Sequence, residues 1–273
     1  ILQRIFLARQ RAHHHQAAHW MVEDVKFIRD DHHAGGKLPL WLVEQPLCPA
    51  VLTPPQALEL PAHSGRHDLW GKRLGQPLYR LFGLNPSRMP PTSFTIGIDR
   101  PEVMAERART CNYPILKIKL GSPDDAAALA AIRRATSARL RVDANAGWTY
   151  DQALELIPLL AQNDLELIEQ PLPRGDIEGV RMLRQQLRRR GINTPIYVDE
   201  SVRTARDVAA HAGAVDGVVI KLMKTGGIRE ALRAIHTARA LEMQVMLSCM
   251  IESSIGVTAA AHLAPLCDHA DLD

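Results

Sequence analysis

From residue 92 onward the apolar pattern changes period again and again. Short apolar runs of strand length alternate with longer segments whose apolar positions recur at helical spacing. Thr92 to Ile98, β-branched and aromatic, predicts a first strand. Further strands are predicted at Ile115–Leu120, Leu140–Val142, Leu165–Ile168, Pro195–Val198, Gly217–Leu222, Gln244–Leu247 and Ala270–Asp273. Helices are expected between them, at about 124–136, 150–162, 176–190, 204–212, 228–241 and 255–265. Ser122-Pro123-Asp124-Asp125 reads as a helix start, with an N-cap, proline at the first position and acids in the first turn. Thr149 with Gln152 has capping-box spacing, and Thr204 with Asp207 resembles one. Eight strands alternating with helices predict an α/β fold, a (β/α) TIM-type barrel. A doubly wound open sheet is the alternative, but no glycine-rich phosphate loop opens a helix.

Upstream, Leu69, Trp70, Leu74, Leu78, Leu81 and Phe82 recur near helical spacing, and Gly75 with Pro77 divides them into two short helices. Pro90 and Pro91 mark a boundary. The expected division is an atypical N-terminal domain at 1–90 and a barrel at 91–273 that stops at its eighth strand. The first 65 residues carry His13, His14, His15, His19, His32 and His33 and are broken by prolines, and they predict no regular element. Because the chain begins at Ile1 and ends inside a predicted strand, it is expected to be a fragment.

Composition adds little to this and removes several classes. A formal charge of +3, with basic residues scattered, gives no footprint for nucleic acid. Cys48, Cys111, Cys249 and Cys267 form no CxxC pair, so they are expected to be reduced thiols in a cytoplasmic protein. No apolar run of membrane-spanning length occurs, and no membrane partner is expected.

The candidate chemistry lies at the strand ends. Asp143, Glu169 and Asp199 each close a predicted strand, at spacings of 26 and 30 residues, close to the length of one parallel strand–helix unit. Three acids at equivalent points fall on one rim of a barrel, at the C-terminal strand ends where barrel active sites lie. Carboxylate oxygens in that arrangement suit a hard cation such as Mg²⁺, one per subunit. On the second strand Lys117 and Lys119 share a face that is expected to be buried, and Lys221 ends the sixth. Buried lysines need acids or a purpose. Lys119 and Lys221, from opposite sides of the ring, are expected to face each other across the mouth. One would remove the α-proton of a carboxylic acid, the cation would stabilise the enediolate, and the other lysine would deliver a proton to the opposite face. Desolvation and neighbouring cations are expected to lower their pKa values. Cys249 has no histidine placed to activate it, so packing is its expected role.

These motifs resemble the enolase superfamily, muconate-lactonizing subgroup: Lys117-Ile118-Lys119 on strand two, Asp143, Glu169 and Asp199 on strands three to five, and Lys221 on strand six. The resemblance covers about residues 67–273, and the fold family is known for a Lys or His base working beside Mg²⁺. Within the subgroup, Ile220 to Ile228, Cys249 to Ser253 and Asp271-Leu272-Asp273 most resemble the dipeptide epimerases, among them the L-Ala-D/L-Glu epimerases. That resemblance implies inversion at the C-terminal residue of a dipeptide from cell-wall peptide turnover. Asp271 and Asp273 would hold its ammonium group, and Thr95, Lys117, Cys249 and Ile251 would line the substrate. Asn145, Glu200 and Lys224, in the same motifs, would support the ligands and bases. A homo-oligomer is compatible with it. The alternatives are another activity of the subgroup (cycloisomerase, o-succinylbenzoate synthase or N-acylamino-acid racemase) or an inactive metal-binding remnant. Family members carry a capping domain over the barrel mouth, of which only the last helices match here.

Overall fold

A computed structural model describes residues 65–273; the histidine-rich tract and Cys48 lie outside the described residues. Helices at 65–74 and Leu78–Leu81 flank a turn at Gly75, as the pattern predicts. Eight parallel strands follow in ring order: β1 (Phe94–Ile96), β2 (Ile115–Lys119), β3 (Arg139–Asp143), β4 (Leu165–Glu169), β5 (Ile196–Val198), β6 (Gly217–Lys221), β7 (Gln244–Ser248) and β8 (His269–Asp271). The ring closes where Thr92 bridges Ala270 and the Ser93 N–H donates to the Ala270 carbonyl at 3.1 Å. The architecture is the expected α/β barrel.

Several elements start or stop elsewhere than expected. The first strand is the three residues of β1, because Thr92 and Ser93 are spent on the closing seam. Leu222 leaves the sixth strand to open a one-turn helix, Leu222–Thr225, which ends on left-handed Gly226. A helix at Pro101–Thr110 falls where none is predicted; it buries only Met104 and Ala108, too sparse a stripe to read. The helix expected to start from Ser122 begins instead at Asp125. The Asp125 carboxylate accepts from the Gly121 and Ser122 N–H groups and from Trp148 Nε1, so it fastens the loop after β2 to the loop after β3. Both capping boxes form as spaced.

Alternation along each strand sorts the side chains into two shells. Leu116, Ile118, Leu140, Val142, Ile168, Ile196, Val198, Val218, Ile220, Val245 and Leu247 pack outward against the helices. Leu167, Tyr197, Val219 and Met246 fill the barrel interior. Gly217 is required there, since a Cβ would meet the Tyr197 ring at 2.5 Å. No described helix is long and apolar enough to cross a membrane.

Below the interior layer, Asp216 ties three segments together. It accepts from Arg184 at 2.7 Å, Arg188 at 2.9 Å and the Ile196 N–H at 2.9 Å. Burial opposes its charge, but these donors prevail and hold its carboxyl below the usual range. Its contribution is therefore full above the ordinary aspartate pKa and is lost as pH falls through the lower, folded value. Asp216→Asn is expected to cost about 1.5–3 kcal/mol near neutral pH, as for hydrogen bonds to charged groups. The loss should shrink on acidification in a urea-unfolding series; a loss constant down to pH 2 would refute it.

Candidate active site

The pleat that turns aliphatic side chains outward turns charged ones into the barrel mouth. On β2, Lys117 lies in the deeper position, 2% exposed. Its ammonium stands 3.0 Å from Asp143, 2.9 Å from Glu169 and 2.9 Å from Asp271. Two residues on, Lys119 reaches the rim and donates to Asp143 Oδ2 at 2.7 Å and to Asn145 Oδ1 at 2.9 Å. The Asn145 amide passes the link to Glu200 Oε1 at 3.0 Å. Across the ring, Lys221 donates to Asp199 Oδ2 at 2.6 Å. Lys224, from the turn after β6, donates to Asp199 Oδ1, to the Asp199 carbonyl and to the Val219 carbonyl. The structure thus sets Lys119 and Lys221 at opposite flanks of one carboxylate group, four strands apart in the ring order.

The charges are mutually determined. Burial disfavours the ionised form of Asp143, but Lys117 and Lys119 outweigh it and hold its carboxyl well below the usual range. Asp199 is held low in the same way by Lys221 and Lys224. Glu169 goes the other way: burial, with Asp143 and Asp199 nearby, pushes it up to about 8. Its two buried oxygens accept no hydrogen bond, and Lys117 meets one as an ion pair alone. Burial also works against the Lys117 and Lys221 ammoniums, yet the facing acids raise both above the ordinary lysine value. For Lys221 this differs from the lowering expected from sequence, because the Asp199 carboxylate stands 2.6 Å from its ammonium.

On the far side of the ring, Asp271 is buried and fully engaged. It accepts from Ser93 Oγ at 2.6 Å, Ser248 Oγ at 3.0 Å and Lys117 at 2.9 Å. Ser93 and Ser248 were not among the expected site residues. The Ser93, Thr95 alternation in an otherwise apolar strand is the signal that carried the first of them. Asp273 accepts from the Thr95 N–H at 2.6 Å and Oγ1 at 3.1 Å. Cys249 lies beside them, its thiol 3.6 Å from the Asp273 carbonyl. Burial, with Asp271 and Asp273 beside it, pushes that thiol up to about 12, which suits packing and not nucleophilic attack. Ile251 stands apart, 83% exposed in the loop after β7.

The three acids at the ends of β3, β4 and near the end of β5 offer only hard oxygen donors, and Glu169 has two that accept no hydrogen bond, one of them met by the Lys117 ammonium alone. In kind the set fits Mg²⁺. Among the described residues, however, no three His, Cys, Asp or Glu side chains converge closely enough to hold a metal ion. Lys117 stands between Asp143 and Glu169, while Asp199 is turned to Lys221 and Lys224. A shared cation therefore requires these side chains to turn toward one another.

Residues 101–272 match the family described as enolase C-terminal domain-like. The chain belongs to the enolase superfamily. Its similarity to members of known activity is close. It is 42% identical over 210 residues to the L-Ala-D/L-Glu epimerase of Bacteroides thetaiotaomicron, covering 76% of this chain and 54% of that protein. It is 45% identical to the hydrophobic dipeptide epimerase of Roseobacter litoralis, covering 76% of this chain and 61% of the other. Among solved structures, the dipeptide epimerase of Enterococcus faecalis complexed with Mg and L-Leu-L-Tyr superposes with a TM-score of 0.74 at 38% identity, over 80% of this chain and 63% of that one. The chain thus spans between half and two thirds of the length of these enolase-superfamily relatives.

Proposed function

We propose that this barrel is the catalytic domain of a Mg²⁺-dependent dipeptide epimerase that inverts the α-carbon of the C-terminal residue, with Ala-Glu as the substrate to try first. The observation that carries this reading is the pair of ammoniums, Lys119 and Lys221, on opposite flanks of a single carboxylate group. Inversion needs a neutral amine on one face of the carbon, to take its proton, and an ammonium on the other, to return one. One lysine removes the α-proton, the electron pair moves into the adjacent carboxylate, and the other lysine protonates the carbon from the opposite side. Asp143, Glu169 and Asp199 would hold Mg²⁺, whose charge stabilises the carboxylate as it takes up that electron pair. Lys117, at the centre of the buried acids, is placed to help polarise the same carboxylate. Asp271, the last residue of β8, and Asp273, two residues on, supply the negative charge for the dipeptide's ammonium, and Thr95 orients Asp273. Cys249 borders that end of the site, and Ile251, on the exposed loop, is the apolar contact for the side chain. Asn145, Glu200 and Lys224 hold the rim groups in place.

The names of the relatives support the same reaction class. In this reading the barrel begins near residue 91, and the helices at 65–74 and Leu78–Leu81 are the last part of a remnant cap. Unpaired Cys111, Cys249 and Cys267 support a cytoplasmic setting.

Proton NMR of L-Ala-L-Glu in D₂O with Mg²⁺ and the protein tests the reading. The glutamate α-proton signal should disappear as the second diastereomer appears. A folded, Mg²⁺-binding protein that leaves this signal untouched would remove Ala-Glu, and the same result across a panel of dipeptides would remove the epimerase reading.

A further inference from the structure

Gln170 follows Glu169 directly and is 2% exposed. Its backbone is left-handed, with φ 38°, a region that a residue with a side chain enters only when its surroundings hold it there. What holds it comes from the loops of all three acids. The Gln170 carbonyl accepts from the Ala146 N–H at 2.8 Å, in the loop that follows Asp143. Its own N–H donates at 2.8 Å to the carbonyl of Tyr197, two residues before Asp199. Its side-chain Oε1 accepts from the Asp199 N–H at 2.8 Å and from the Ser201 N–H at 3.4 Å. Its Nε2 donates to the Leu172 carbonyl at 2.8 Å and to Ser201 Oγ at 3.1 Å. Asn145 and Ala146, on the far side of the Ala146 contact, are left-handed too, with φ 45° and 61°.

We propose that Gln170 is a positioning residue that fixes the loops carrying Asp143, Glu169 and Asp199 relative to one another, so that the three carboxylates serve one cation together. This rests on the Mg²⁺ reading above and names the residue that sets the geometry of the site. One side chain spans β4 and β5, while its backbone spans β3 and β5, so a shift at Gln170 moves all three acids at once. The ligand it acts through is a hard divalent cation, and Gln170 itself offers none of the oxygens.

A residue that merely fills space changes stability and leaves the affinity of the folded protein for metal alone. A positioning residue changes that affinity, and groups that orient metal ligands typically carry about 10- to 100-fold in binding. The test is Mg²⁺ titration of the full chain by isothermal calorimetry, at a temperature where circular dichroism shows wild type and variant equally folded. Gln170→Leu, close in size and without the amide, should weaken Mg²⁺ by about 10- to 100-fold. Ser201→Ala, which removes the contacts of its hydroxyl to Gln170 Nε2 and the Gly175 N–H but leaves the Gln170–Asp199 bond, should weaken it far less. Should Gln170→Leu fail to fold, Gln170→Gly serves, because glycine adopts the left-handed backbone without strain. Equal Mg²⁺ affinity in wild type and in the folded Gln170 variant would overturn the role of Gln170 alone. A folded wild type that binds no Mg²⁺ would overturn the metal reading together with it.

Discussion

Lys221→Ala and Lys119→Ala should each abolish epimerisation of the dipeptide, but they should fail in opposite ways. With Lys221 removed, Lys119 still faces one side of the α-carbon, so one diastereomer exchanges its α-proton for deuterium without inverting. With Lys119 removed, the other diastereomer does so. The two ammoniums sit 2.6 and 2.7 Å from different acids, Asp199 and Asp143, so neither can reach across to replace the other. Loss of a positioned acid–base group costs about 10²- to 10⁴-fold, and inversion needs both groups, so the interconversion rate should fall by at least that much. Deuterium incorporation into each diastereomer, followed by NMR, checks it. The two-base mechanism is wrong if both single variants interconvert the diastereomers at the wild-type rate. The same measurement assigns each lysine to a face.

The second large effect belongs to the floor of the barrel. Arg141 is 1% exposed and crosses the interior from β3. It pairs with Glu166 of β4, donates to the Ala270 carbonyl at 2.8 Å and meets His269 Nδ1 at 3.1 Å, both on β8. Burial, with Arg141 alongside, holds His269 below its ordinary pKa, in keeping with a neutral ring that accepts from the guanidinium. Ala270 is also where the ring of strands closes, through Thr92 and Ser93. Arg141→Met leaves the Glu166 carboxylate short of its buried partner and the Ala270 carbonyl short of one donor. Breaking a buried ion pair from one side costs about 3–5 kcal/mol, and because Arg139 still pairs with Glu166 at 2.8 Å the lower end applies. For a domain of this size about 3 kcal/mol is about 6–12 °C in Tm. Thermal unfolding followed by circular dichroism measures it, and a Tm within about 2 °C of wild type would show that the floor network contributes little.

Arg141 also shows where reading the sequence stops. Arg139-Leu140-Arg141-Val142-Asp143 alternates, so an inward Arg141 below Asp143 follows from period two. Its partner does not. Counting in twos from inward Glu169 and Leu167 sends Glu166 outward, but the β3–β4 register shifts between Leu140 and Arg141, and Glu166 is the extra residue. That bulge turns its carboxylate under the barrel to both arginines. A bulge depends on how two strands pair, and neither strand alone encodes it.

The sequence by itself determined the alternation of strands and helices, the ring of acids and lysines, and which side of each strand they occupy. Those are consequences of period and spacing, which are local properties of the chain. The chemical class followed from the residue types at the strand ends. Only the tertiary structure decided which charge faces which: Lys117 among Asp143, Glu169 and Asp271, Lys224 on Asp199, and Gln170 between three loops. The charged partners among these lie between 25 and 154 residues apart, and no local pattern ranks one acid above another as a partner. The protonation of the lysines turned on the same distances, because whether burial or an opposing carboxylate prevails depends on how closely the barrel brings them together.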